Sequence, residues 1–292
     1  MKKFITLILS LLLINFGLIS CVKTQEANDK SSGEIRNEES EKDIADKEEN
    51  TEENLSNKEE KVDIEYINIA PEDVRIPILM YHSISDEDPN NDLLVPPAMF
   101  EEQMAWLEEN NFTAMSMDEV LEAMETGKVP KRPIAITFDD GYSDNYISAF
   151  PSLKNHGLKA TFFVITDGVD DGYYMSSDML KEMQEAGMSI ENHTANHLEL
   201  DKLSREDAYD SIKRGQDFLR NVIGSDGNYL CYPVGKYSNE TIEIAKELGI
   251  KAATTTQGGI SSISDGVYQL KRVRISPMSI DGFAAIFSEY IY

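Results

Sequence analysis

Two adjacent carboxylates, Asp139 and Asp140, close the apolar run "PIAITF" (Pro133 to Phe138), where a strand would ordinarily end on a single turn-forming residue. Further along, His193 and His197 stand four positions apart in "HTANH". Alone, the acid pair before Gly141 reads as turn punctuation, and an H-x3-H spacing is equally at home on a solvated helix. Together they have a more specific chemistry. Two imidazoles and one carboxylate form a common open site for a divalent metal such as zinc, with a position left for water. A second aspartate, held close but not coordinated, could then take a proton from that water. His82 after "IPILMY" and Tyr232-Pro233 at the end of "YLCY" are further polar groups at strand ends.

The elements that must position these residues follow from the hydrophobic pattern. "IPILMY" (76–81), "PIAITF" (133–138), "ATFFVI" (160–165), "MSI" (188–190), "YLCY" (229–232) and "KAATTT" (251–256) read as strands. Between them Phe100, Met104 and Leu107 recur at helical spacing, Ser116 with Glu119 forms a capping-box pattern opening a helix to about Glu125, and Gly157, Gly187 and Gly249 stand where helix C-caps belong. Strand alternating with helix predicts a parallel α/β sheet closed into a barrel. In such a barrel the loops after the C-terminal strand ends share one rim, and His82, Asp139, Asp140, His193, His197 and Tyr232 all fall in those loops.

On these residues the chain resembles a known family. "TFDDG" (137–141), "HTANH" (193–197) and "YPVG" (232–235) are similar to the first three motifs of the polysaccharide deacetylases, the NodB-homology or carbohydrate esterase family four domain. "ILMYHSI" (78–84) resembles the circularly permuted branch, which includes exported poly-N-acetylglucosamine deacetylases. The likeness runs from about Ile76 to Ile275. It implies a distorted (β/α) barrel of the NodB-homology type and removal of N-acetyl, or sometimes O-acetyl, groups from polysaccharide. It implies that Asp139 is the general base and that Asp140, His193 and His197 ligate a divalent metal, zinc first, with cobalt or another ion as alternatives. The oxyanion would be stabilised by the metal and by the backbone N–H of Tyr232. The chain has no histidine after His197, and the permuted branch draws its acid from the first strand, so His82 is implied as the proton donor to the leaving amine. Many members carry an arginine two residues before the motif's proline; here that position is Cys231. Arg272 and Arg274 in "KRVRIS", placed on one face by strand alternation, are the candidates to reach Asp139 instead.

The rest of the chain bounds location and partners. Lys2 and Lys3, an apolar run from Phe4 to Ile19 and Ser20-Cys21 predict a lipoprotein signal peptide over 1–20 with lipid on Cys21, ahead of an uncleaved anchor or an ordinary secretory peptide. The mature protein is then expected to be exported and lipid-anchored to a cell membrane at the bacterial envelope. Residues 21–70 read as a disordered acidic stalk, since Val22 to Asp63 holds 15 acidic against 7 basic residues and almost no large apolar ones; the deacetylase domain is expected over 71–292. A net charge of −26 excludes nucleic acid as a preferred partner and suits a neutral N-acetylated polysaccharide; nothing points to a protein partner. Beyond Cys21 the only cysteine is Cys231, a buried small side chain by expectation, so no disulfide framework is available. His156 reads as a solvated last-turn residue and Trp106 as core. Tyr142, Tyr173, Tyr174 and Tyr237 could offer aromatic platforms to sugars. The rival functions are an O-acetyl esterase on xylan or another glycan, and a glycan-binding lipoprotein without turnover, the latter prompted by the missing motif arginine.

Overall fold

The structure is a computed structural model and describes residues 64–288; the signal-like segment, Cys21 and most of the acidic stalk lie outside the described residues. Along the chain come β1 (Tyr66–Asn68), β2 (Ile78–Tyr81), α1 (Pro97–Glu109), β3 (Thr113–Ala114), α2 (Met117–Thr126), β4 (Lys128–Pro130), β5 (Pro133–Phe138), α3 (Phe150–Asn155) and β6 (Thr161–Val164). They are followed by α4 (Ser177–Glu185), β7 (Ser189–Asn192), α5 (Arg205–Phe218), β8 (Tyr229–Cys231), α6 (Asn239–Glu247), β9 (Ala252–Gly258), β10 (Leu270–Arg274) and α7 (Ile280–Ala285).

Seven parallel strands close into a barrel in the order β2-β10-β9-β8-β7-β6-β5, and β5 returns to β2 in a register running from Ile78↔Ala135 to Tyr81↔Phe138. The expected (β/α) barrel is therefore present, and it is distorted in having seven strands. Alternation along each strand separates two cores. Tyr81, Phe138 and Phe162 point outward to the helices, stacked with Phe100 against Tyr81 and Phe138. Ile78, Ala135, Phe163, Tyr229, Ala252 and Leu270 point inward and fill the lower barrel, where Met117, Val120 and Met124 of α2 join them. Above this apolar plug the same alternation brings a buried polar layer, Thr137, Asp139, His193 and Arg272.

The expected helix signals are realised. Ser116 accepts from the Glu119 N–H while Glu119 accepts from the Ser116 N–H, and Gly157, Gly187 and Gly249 have φ of 62°, 92° and 76° just past the ends of α3, α4 and α6. Trp106 packs on Phe112, Phe283 and Phe287, as expected of a core residue. Two expectations need correction. The ordered domain begins before residue 71, because Tyr66–Asn68 pairs antiparallel with Lys128–Pro130 and Ile67 and Ile69 pack on the inner core. His156 is not simply solvated: its two ring nitrogens lie 2.6 Å from Glu108 and 2.9 Å from Glu101 of α1, so it clamps α3 to that helix. Among the described residues no helix is long and apolar enough to cross a membrane.

Candidate active site

Consecutive strand residues normally point to opposite faces, so Asp139 and Asp140 could not both enter one site if the strand continued. The chain leaves strand geometry at Asp140, whose φ is 72°, and at Gly141, whose φ is 84°. A Cβ on Gly141 would lie 2.7 Å from a Val164 methyl carbon, so the turn requires glycine. This reversal lets both carboxylates face the barrel mouth. The loop after β7 is bent in the same way, with positive φ at Thr194 and His197. Asn192 holds it by accepting from the Thr194 N–H at 2.8 Å and donating to the Ile212 carbonyl at 2.9 Å, while Gly215 leaves the space that its side chain needs.

Asp140, His193 and His197 converge. One Asp140 oxygen lies 3.3 Å from His193 Nε2 and 3.4 Å from His197 Nε2. His193 Nδ1 is 2.8 Å from the Cys231 carbonyl, and a carbonyl only accepts, so Nδ1 carries a proton; Nε2, which donates to Asp140 when no ion is bound, is the atom left to ligate a metal once that proton is displaced. Tetrahedral zinc with bonds of about 2.0–2.1 Å separates its ligands by roughly 3.3–3.4 Å. The donor set and its spacing thus fit such an ion, with His197 on the open side, a third exposed. Burial favours the neutral form of the His197 ring and lowers its pKa, reinforced by the nearby His193. Burial alone would raise the Asp140 carboxyl, but its hydrogen bond with His193 leaves it below the usual value.

Asp139 is 2% exposed and held by Arg272, which is itself fully buried. The guanidinium grips it with two parallel bonds of 2.7 Å and uses its remaining donors on Thr255 O at 2.9 Å, Thr137 Oγ1 at 3.1 Å and Cys231 Sγ at 3.2 Å. All five N–H groups of the arginine therefore have a partner. Burial pushes the Asp139 carboxyl up, and the charge and paired bonds of Arg272 outweigh it and hold Asp139 well below the usual carboxylate range. His82 Nε2 lies 3.9 Å from Asp139 Oδ2, with the side chain 11% exposed. Burial lowers the His82 pKa against the opposing pull of Asp139 and Asp140.

Not every expected residue reaches the site. Arg274 is exposed at the end of β10 and its side chain forms no hydrogen bond or ion pair among the described residues, although its backbone is still in register with Met80 of β2. The Tyr232 N–H, expected to face an oxyanion, donates to Thr254 O at 3.2 Å, since the β8–β9 ladder extends one residue past the strand end. The Tyr232 ring follows the outward parity of its strand, buried under α5 and α6 and stacked on Tyr237 at 4.6 Å. Other residues flank the site, and of these only Tyr142 was singled out, as a possible sugar platform. Burial raises the Tyr142 hydroxyl pKa, and the nearby Asp140 charge adds to that rise. Asn145 donates to the His82 carbonyl at 2.7 Å, and Asp144 accepts from Ser83 Oγ and the Ile84 N–H, fixing the segment that carries His82. Their signal in the sequence was proximity to "TFDDG" alone.

The polysaccharide deacetylase family profile matches residues 126–253. The chain is 38% identical over 213 residues to YxkH of Bacillus subtilis (strain 168), a protein named for the same family, covering 72% of this chain and 75% of that one. It belongs to the polysaccharide deacetylase family. It is also similar to the poly-β-1,6-N-acetyl-D-glucosamine N-deacetylase of Staphylococcus epidermidis, at 28% identity over 239 residues, 73% of this chain and 82% of the relative. Among solved structures, the Streptococcus pyogenes deacetylase PplD in complex with acetate superposes with a TM-score of 0.71 at 34% identity, covering 73% of this chain and 98% of that one. The residues described above gather at the C-terminal ends of the strands, where a (β/α) barrel carries its chemistry.

Proposed function

We propose that this family member is a metal-dependent hydrolase that removes N-acetyl groups from a polymer of N-acetylglucosamine at the bacterial envelope, tethered there through lipid on Cys21. The observation that carries the chemistry is the pairing of a three-ligand cluster, Asp140, His193 and His197, with a separate aspartate that Arg272 keeps ionised and fixed in orientation. The substrate follows from the Staphylococcus relative, whose name specifies poly-β-1,6-N-acetyl-D-glucosamine. Export and lipidation rest on the N-terminal Lys2-Lys3, apolar run and Cys21.

Asp140, His193 and His197 would hold a divalent cation, zinc by preference, which when bound would supply a Lewis acid to polarise the acetyl carbonyl and lower the pKa of a water. Asp139 accepts the proton of that water as its oxygen bonds to the acetyl carbon. Arg272 prevents the carboxylate from rotating away or protonating beforehand, at the expense of some basicity. His82, 3.9 Å from Asp139 Oδ2, delivers a proton to the nitrogen as the C–N bond breaks, leaving acetate and a free amine. Asn145 and Asp144 keep the His82 segment in place during that transfer. The substitution at Cys231 gives no support to a turnover-less binder, because Arg272 supplies from β10 the guanidinium absent from β8.

The test is release of acetate from a β-1,6-linked N-acetylglucosamine oligomer by the purified chain. Activity should vanish on adding a chelator and return with zinc or cobalt. Absence of acetate with every metal tried would overturn the proposal, and faster release from O-acetylated xylan would move the substrate to the ester class.

A further inference from the structure

Three of the six large apolar side chains exposed among the described residues, Tyr173, Leu198 and Val234, stand on the loops after β6, β7 and β8. Tyr173 is the most exposed of them, at 66%, yet its backbone and ring are firmly held. Asp171 accepts from the N–H groups of Tyr173 and Tyr174 at 2.8 and 3.0 Å, the Tyr173 carbonyl accepts from the Ser143 N–H at 3.1 Å, and Met175 donates to the Gly141 carbonyl at 2.9 Å. These bonds join the loop to the stretch immediately after Asp140. Tyr142 and Tyr174 stack at 5.5 Å, and the Tyr173 ring stands edge-on to both, at 77° and 84°. Gly168 makes room for this stack, since a Cβ there would lie 2.4 Å from the Tyr174 ring.

The rings therefore form a continuous ladder leading outward from beside the candidate metal ligand: Tyr142 follows Asp140 by two positions, and its ring braces Tyr173. We infer that Tyr173 is a stacking platform for the sugar unit next to the one being deacetylated, an inference that rests on the glycan reading above. A glucosamine ring with equatorial substituents presents axial C–H groups on its faces, and these complement the electron-rich face of an aromatic ring. A platform already ordered by two neighbouring rings and by its loop loses little freedom on binding. It contacts a unit that does not react, so it contributes to affinity for a chain and not to the bond-breaking step.

The experiment compares Tyr173→Ala and Tyr173→Phe with the unaltered zinc-loaded chain on two substrates, a β-1,6-linked N-acetylglucosamine pentamer and 4-nitrophenyl acetate. Y173A should raise KM for the pentamer by about tenfold, with kcat and hydrolysis of the small ester within about twofold, and Y173F should behave as wild type. An unchanged pentamer KM, or an equal loss on both substrates, would overturn the platform. Calorimetric titration with the same pentamer keeps this inference distinct from the catalytic reading. Binding weakened by Y173A in a chain that never releases acetate would retain the platform and refute the deacetylase; turnover without that weakening would do the reverse.

Discussion

Replacing Arg272 by methionine tests the centre of the structural argument. The guanidinium is fully buried and bonded to Asp139 through both carboxylate oxygens, so the change leaves a buried carboxylate with no compensating charge. Breaking a buried ion pair from one side costs about 3–5 kcal/mol. For a domain of this size each kcal/mol lowers Tm by about 2–4 °C, so R272M should melt about 6–20 °C below wild type. Circular dichroism melts in the presence of chelator measure this without contribution from bound metal. Adding Asp139→Asn should recover most of the loss, because the cost comes from the uncompensated charge and not from missing bulk. Arg272→Lys, which keeps a charge but not the fork, should fall between the two. Restoring a guanidinium from the neighbouring position, in Cys231→Arg combined with R272M, should return part of both stability and turnover, since Cys231 Sγ already lies 3.2 Å from the guanidinium. A drop in Tm of under 2 °C for R272M, or a double variant as unstable as the single one, would refute the claim that Arg272 offsets the buried Asp139 charge.

Asp139→Asn should abolish acetate release while zinc still binds, whereas His197→Ala should weaken zinc binding, measured by calorimetry, by at least about 100-fold, the upper end of what losing an outer-shell partner costs. His82→Gln should slow deacetylation of the oligomer by about 10²–10⁴-fold and spare 4-nitrophenyl acetate, whose leaving group needs no protonation; equal losses on both would remove His82 from the acid role. His156 is drawn up in pKa by Glu108 and Glu101 against the lowering effect of its burial, so its contribution is complete below the ordinary imidazole value and lost as pH rises through the raised one. Because the carboxylates are half exposed, H156Q should lower stability by only about 0.5–1 kcal/mol at pH 5.5 and by less at pH 9, a difference readable in urea titrations.

Much of the fold was legible because it depends on short-range rules. Runs of apolar residues located the seven barrel strands apart from β10, which the alternation in "KRVRIS" marked, and Ser116 with Glu119 and the three helix-ending glycines punctuated the helices. The short strand Tyr66–Asn68 was missed because it borders the charged stretch and is held by a distant partner, Lys128–Pro130. His156 looked solvated because its two acidic partners sit on another helix, about 50 positions earlier.

At the site, the sequence alone determined the reacting types of side chain, their place at strand ends and hence the family, because strand parity and motif spacing are local properties. Only the tertiary structure decided which groups meet. Arg272 and Arg274 have the same parity, yet one is enclosed beside Asp139 and the other is exposed at the strand's end, since burial and partners depend on what distant segments place beside each residue. The Tyr232 amide is engaged by Thr254 through a pairing that no spacing along the chain encodes. Closure of β5 onto β2 brings His82 within 3.9 Å of Asp139, across 57 positions of sequence, and the hydrogen bonds that make that closure run between backbones, which every residue type but proline can form.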